Sequence, residues 1–93
     1  MYTPFPTQKY KKSYKKIKRS GKFKERELNF VINTLALGQK LGNEYRDHAL
    51  RGDYNGFREC HIRGDLLLVY KIEGEILLLI LADIGSHSSI FDM

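Results

Sequence analysis

The sequence predicts an α+β fold, with an N-terminal helical hairpin packed on a small antiparallel β-sheet and a short C-terminal helical turn. Three observations predict it. Apolar residues recur at helical spacing through the first forty residues. From Phe57 the spacing changes to two, and Gly-containing dipeptides cut the pattern into short runs. The chain has 93 residues, 42% of them hydrophobic, which suits one core, so a single domain over residues 1–93 is expected.

Met1–Thr7 carries Pro4 and Pro6, which cannot donate to a ladder, so it is at best an edge strand. Thr7 can cap a helix from about Gln8 to Arg19, with Tyr10, Tyr14 and Ile17 as its buried stripe. Ser20-Gly21 ends it. A second helix runs from about Lys24 to Leu37, with Leu28, Val31, Ile32 and Leu35 inward and Gly38 as its stop. Phe30 and Leu37 lie off that stripe and widen it. Gly42-Asn43 marks a turn before Asp47–Leu50. A glycine-bearing loop then leads to three strands: Phe57–Ile62, Leu66–Ile72 and Glu75–Ala82. Arg63-Gly64 and Glu73-Gly74 are the tight turns between them. Gly85 breaks the pattern, and Ser86 or Ser88 starts a last helical turn ending at Phe91.

Charge is divided along the chain. Residues 1–40 hold eleven Lys/Arg against two acids, a balance of +9, while residues 41–93 hold five against nine, a balance of −4. Ten basic residues fall within positions 9–26. A lysine-rich helix is usually a solvated surface, but this density suits a polyanion. One cysteine, Cys60, excludes an internal disulfide and fits a cytoplasmic protein. The N-terminus has no apolar stretch behind its charges, so no signal peptide is expected. The longest apolar run, Ile76–Ala82, is too short to cross a bilayer, so no membrane role is expected.

All three histidines lie in the C-terminal half: His48, His61 and His87. Alternation along Phe57–Ile62 sends Cys60 and Ile62 to the helix-covered core and leaves Glu59 and His61 on the open face. Asp65 follows the turn after His61, and Phe91 stands one helical turn from His87. Cleavage of RNA by its own 2′-hydroxyl needs a base for the 2′ proton and an acid for the departing 5′ oxygen, and histidine serves both near neutrality. A cation must stabilise the phosphate, and an aromatic such as Phe91 can stack on an unpaired base. Each histidine alone is more often structural. No pair has the spacing of a zinc signature, so no metal and no cofactor are expected. Arg63-Gly64-Asp65 is read as a hairpin turn, not as an adhesion motif.

DHALRGDYNGFRECHIRGDLLLVYKI followed by LADIGSHSSIF resembles the YafQ branch of the RelE-like bacterial toxins, over about half the chain from Asp47 on. The resemblance implies a microbial-RNase-like fold and a ribosome-dependent endoribonuclease that cuts mRNA and halts translation. It implies a cognate acidic antitoxin as partner, the toxin–antitoxin complex binding operator DNA through the antitoxin. Catalytic roles carry over to His48, His61, Asp65 and His87, with Glu59 matching an acid of some relatives and Phe91 the terminal aromatic. His87 and Asp65 are the expected leading acid–base pair. Many relatives carry arginine where Asp83 stands, which leaves Arg58, Arg63 or Arg46 to contact the phosphate. The basic helix face from Lys9 to Arg26, with Lys11, Lys12, Lys15 and Lys16, is expected to hold ribosomal RNA. The rival readings are a non-enzymatic toxin of the same fold that inhibits a protein target such as gyrase, and a plain RNA-binding protein.

Overall fold

The computed structural model describes residues 1–21 and 23–91; Lys22, inside the basic run, lies outside them. The elements are β1 (Thr3–Pro6), α1 (Gln8–Ser20), α2 (Glu25–Ala36), β2 (His48–Ala49), β3 (Arg58–Arg63), β4 (Leu66–Glu73), β5 (Leu78–Gly85) and α3 (His87–Phe91). Short 3-10 turns occupy Asn43–Tyr45, Gly52–Tyr54 and Gly74–Ile76.

Thr7 begins α1 as expected. Its hydroxyl oxygen accepts the Tyr10 N–H at 3.2 Å and lies 3.0 Å from the carbonyls of both Leu81 and Ala82. One side chain therefore caps the helix and ties it to β5, a role worth about 1 kcal/mol for the cap alone. Gly21 takes the left-handed conformation at the C-cap (φ 67°) and its N–H bonds the Lys18 carbonyl. Tyr10 is buried, Tyr14 and Ile17 half so. In α2, Leu28, Val31, Leu35 and Ala36 are buried. Phe30 and Leu37 stay exposed, so the inward stripe is narrower than the sequence suggests.

The sheet runs β1-β5-β4-β3-β2. Strands β2 to β5 are antiparallel neighbours. The edge corrects the expectation of a wholly antiparallel sheet: β1 lies parallel to β5, from Thr3 opposite Leu78 to Pro6 opposite Leu81. Thr3 and Thr7 donate to the Leu77 and Leu81 carbonyls. The donorless Pro4 and Pro6 fall between these donors, which is what an edge tolerates. The last strand also starts later than expected, at Leu78 and not Glu75. Gly74–Ile76 coils into a 3-10 turn, and Leu77 follows at φ 53°. Ile76 and Leu77 are apolar but exposed, so hydropathy alone overextends the strand.

Each face of the sheet has its own apolar cluster. Under the helices, Leu28, Val31 and Leu35 pack with Cys60, Ile62, Leu68, Tyr70, Leu79, Leu81 and Ile84. On the other face, Leu67, Val69 and Ile90 form a smaller cluster, flanked by Tyr54, Phe57, Ala82 and Phe91. Two register shifts shape that face. One falls between His61 and Arg63 on β3. The other sets Val69 opposite Asp83 but Tyr70 opposite Leu81, leaving Ala82 as an extra residue in β5. Such a bulge changes which residues face which side. Leu79 and Leu81 face the helices, and beyond the bulge Ile84 does so in place of Asp83.

Candidate active site

The site is anchored from behind. Asp47 stands just before β2. Its carboxylate accepts the Tyr70 hydroxyl at 2.7 and 2.8 Å and the Arg58 Nε–H at 3.1 Å. Burial first, then the Asp47 carboxylate, push the Tyr70 phenol well above its ordinary range. Arg46 ahead of it is left-handed, at φ 48°. These two residues fix the entry to a strand of only two residues, so His48 lands opposite Glu59.

His48, Glu59 and His61 meet on the open face. His48 Nε2 lies 3.9 Å and His61 Nε2 3.4 Å from Glu59 Oε1, with the two imidazole centroids 6.5 Å apart. Glu59 is 2% exposed. His48 Nδ1 sits 2.7 Å from the Arg46 carbonyl. A carbonyl only accepts, so Nδ1 carries the proton of the neutral ring and Nε2 is free to take one. The expected placement of Glu59 and His61 on one face, opposite Cys60 and Ile62, is what the structure shows.

The second half of the site is α3. A Cβ on Gly85 would lie 2.6 Å from Ser89 Oγ and would push that hydroxyl off the Ser86 carbonyl it bonds. Ser86 Oγ accepts the Ser89 N–H at 3.2 Å and starts the helix. Ile90 sinks between Leu67 and Val69. Since Leu67 pairs with His61 across the ladder, α3 stands beside the histidine pair. The His87 and Phe91 rings lie 4.9 Å apart, as their spacing predicts. Asp65 Oδ1 receives the His87 backbone N–H at 3.4 Å, a helix-start contact. Asp65 therefore meets the main chain of His87 at the point where an acid–base partnership was expected.

Of the three arginines expected near phosphate, Arg46 is exposed just ahead of His48, and Arg58 and Arg63 turn elsewhere. Arg58 shares its strand face with Cys60 and is bonded to Asp47. Arg63 is paired at 2.9 Å with Glu27 of α2. Lys11, Lys12, Lys15 and Lys16 are exposed along α1. One residue of the site, Tyr54, escaped the sequence reading, and another, Lys9, was expected only as part of the basic helix face. Tyr54 touches Phe91 and Phe57 edge to face, at 5.3 and 6.3 Å, and Lys9 Nζ lies 3.3 Å from its hydroxyl. Tyr54 lies in a glycine-rich loop with no periodicity, so no pattern points to it.

A family model described as the bacterial toxin of type II toxin–antitoxin systems, YafQ, matches residues 2–92. In class, then, the chain is a toxin of a type II toxin–antitoxin system. Within that class it belongs to the YafQ family. The Escherichia coli K12 mRNA interferase toxin YafQ is 32% identical over 81 residues, 87% of this chain and 82% of that protein. A Haemophilus influenzae YafQ relative is 46% identical over 41 residues, but this match spans only 40% of its length. A metal-bound toxin from Helicobacter pylori superposes with a TM-score of 0.88 at 41% identity, over 98% of this chain and 100% of that one. The toxin in the E. coli DinJ–YafQ complex gives 0.84 at 26% identity, covering 97% of each. Among the described residues here, no group of three or more His, Cys, Asp or Glu is arranged to hold a metal ion. No helix of the described residues is long and apolar enough to cross a membrane.

Proposed function

We propose that this toxin is an mRNA endoribonuclease that acts on the ribosome and cuts through the 2′-hydroxyl. The observation that carries the reading is the placement of three imidazoles, a buried carboxylate and two aromatic rings on the one sheet face that the helices leave open. His48 Nε2, backed by Glu59 and His61, takes the 2′ proton. The 2′ oxygen attacks phosphorus, and the bond from phosphorus to O5′ breaks. His87 gives its proton to O5′. The products are a 2′,3′-cyclic phosphate and a 5′-hydroxyl, so atoms and protons balance without a metal. Asp65 holds α3, and so the His87 ring, in place. Phe91 stacks on a base next to the cut. The exposed lysines of α1 carry the ribosomal RNA contact, a salt-sensitive attraction. An acidic antitoxin neutralises the protein, as DinJ pairs with YafQ in the E. coli complex, and carries the complex to operator DNA.

The test is induced expression in a bacterium of wild type and of His87→Ala, with growth followed and transcript ends mapped by primer extension. Growth arrest with new in-frame mRNA breaks, both lost in the variant, is expected. Arrest without breaks that survives the substitution would contradict the ribonuclease reading and favour a protein target. Expression without arrest would contradict it as well, leaving an RNA-binding domain.

A further inference from the structure

Transfer through the 2′ oxygen adds negative charge to the phosphate, and a cation placed before the reaction stabilises it. Arg58 and Arg63 are bonded on the helix side of the sheet, and Arg46 stands at the His48 end of the site. Lys71, on the open side, lies over Phe57 and is paired with Glu73 at 2.9 Å, a tighter contact than either that Lys9 makes. Granting the ribonuclease reading, on which this step rests, we infer that Lys9 is the cation that binds the RNA phosphate beside His87, and that Asp83 and Tyr54 are the residues that position it.

The bulge at Ala82 turns Asp83 away from the helix-side core, toward the edge where α1 runs. There it is 3% exposed. A buried carboxylate needs hydrogen bonds and a countercharge. Its Oδ1 accepts the Ser13 hydroxyl at 2.6 Å and the Ile84 N–H at 2.8 Å. Its countercharge is Lys9, whose Nζ is 3.5 Å from Oδ2. The same Nζ is 3.3 Å from the Tyr54 hydroxyl, so the two contacts fix where the ammonium stands. Neither contact is short, the Lys9 side chain is 60% exposed, and an ammonium has three N–H groups. One donor is left for a phosphate oxygen.

The position fits the reaction. Tyr54 meets Phe91 edge to face at 5.3 Å, and Phe91 lies 4.9 Å from His87. Lys9, Tyr54, Phe91 and His87 thus follow one another in contact on the open side, and an RNA strand with a base on Phe91 would run along them. The Tyr54 hydroxyl first, then the Asp83 carboxylate, hold the Lys9 ammonium above its ordinary range, so it stays charged at any physiological pH. A buried aspartate in β5 thus supports the reaction by presenting a cation from the helix beside it.

The test is single-turnover cleavage of mRNA on programmed ribosomes at saturating ribosome, comparing wild type, His87→Ala, Lys9→Gln, Lys9→Arg, Lys40→Gln and the double variant Lys9→Gln/Asp83→Asn. Thermal unfolding is followed in each. Lys9→Gln is expected to lower the maximal rate at least tenfold, with a smaller change in half-saturation. Lys9→Arg should keep most of the rate, and Lys40→Gln, an exposed charge on the loop after α2, all of it. The double variant removes both charges and so spares the fold; it should be as slow as Lys9→Gln. A wild-type rate in Lys9→Gln, or a rate restored in the double variant, would overturn the inference, since Lys9 would then be only a counter-ion. Wild type that leaves the mRNA intact would overturn the ribonuclease reading itself, and the role of Lys9 with it. Loss in His87→Ala alone would leave that reading standing and remove only Lys9.

Discussion

The two faces of the sheet use the same strands for opposite ends. On β3, Cys60 and Ile62 are packed under α1 and α2, while Glu59 and His61, one residue away, meet His48 on the far side. The helix side has a large apolar cluster, and its charges are tied in pairs: Arg58 with Asp47, Arg63 with Glu27. The open side has a small cluster of Leu67, Val69 and Ile90, ringed by histidines and aromatics. Stability is concentrated on one face and reactive groups on the other. Substitutions should therefore separate cleanly into those that unfold the protein and those that only disarm it.

The largest expected effect is on the open face. His87→Ala should lower cleavage by about 10²- to 10⁴-fold, the usual worth of a general acid, while the melting temperature stays put. Rate assays beside thermal melts check this, and an equal fall in both would break the distinction between the faces. Leu68→Ala, on the helix side, should cost about 2–5 kcal/mol in a denaturant titration and leave cleavage by the folded fraction unchanged. Tyr70→Phe tests the link between the faces. It removes a hydroxyl bonded twice to Asp47 and should cost about 1–3 kcal/mol by the same titration. Because Asp47 leads into His48, its cleavage rate should also fall, by less than about tenfold.

The smallest effect concerns pH. Burial pushes the Cys60 thiol up to about 12 and the Tyr10 phenol up to about 12, from 9.0 and 10.0. Both stay protonated in the fold after the unfolded chain has released its protons. Stability is therefore full below pH 9 and falls as pH rises from there toward 12. Melts taken from pH 8 to 11 should show the decline, and thiol reagents at pH 8 should label Cys60 only as fast as the protein unfolds.

What was legible in the sequence follows from local rules. Period-two spacing placed Glu59 and His61 together and Cys60 and Ile62 opposite. Helical spacing placed Phe91 on His87, and Thr7 and Gly21 marked the ends of α1. What was hidden depends on contacts across the chain. No local signal tells Thr3–Pro6 to pair with a strand more than seventy residues later, parallel to it. Strict alternation would send Asp83 into the core with Leu79 and Leu81; the bulge at Ala82 prevents it, and only the register with Val69 and Tyr70 reveals the bulge. Tyr54 and Lys9 come from a loop and a helix with no shared pattern, and meet only because α1 runs along the end of β5.

The central claim is that the open face cuts RNA by acid–base transfer through the 2′ oxygen. The most direct test uses purified toxin, programmed ribosomes and two mRNAs that differ only by a 2′-deoxynucleotide at the mapped cut, with chelator present. The all-ribose mRNA should be cut and leave a 2′,3′-cyclic phosphate, and the deoxy mRNA should stay intact at that position. Equal cleavage of both, or 3′-hydroxyl ends, would contradict the account.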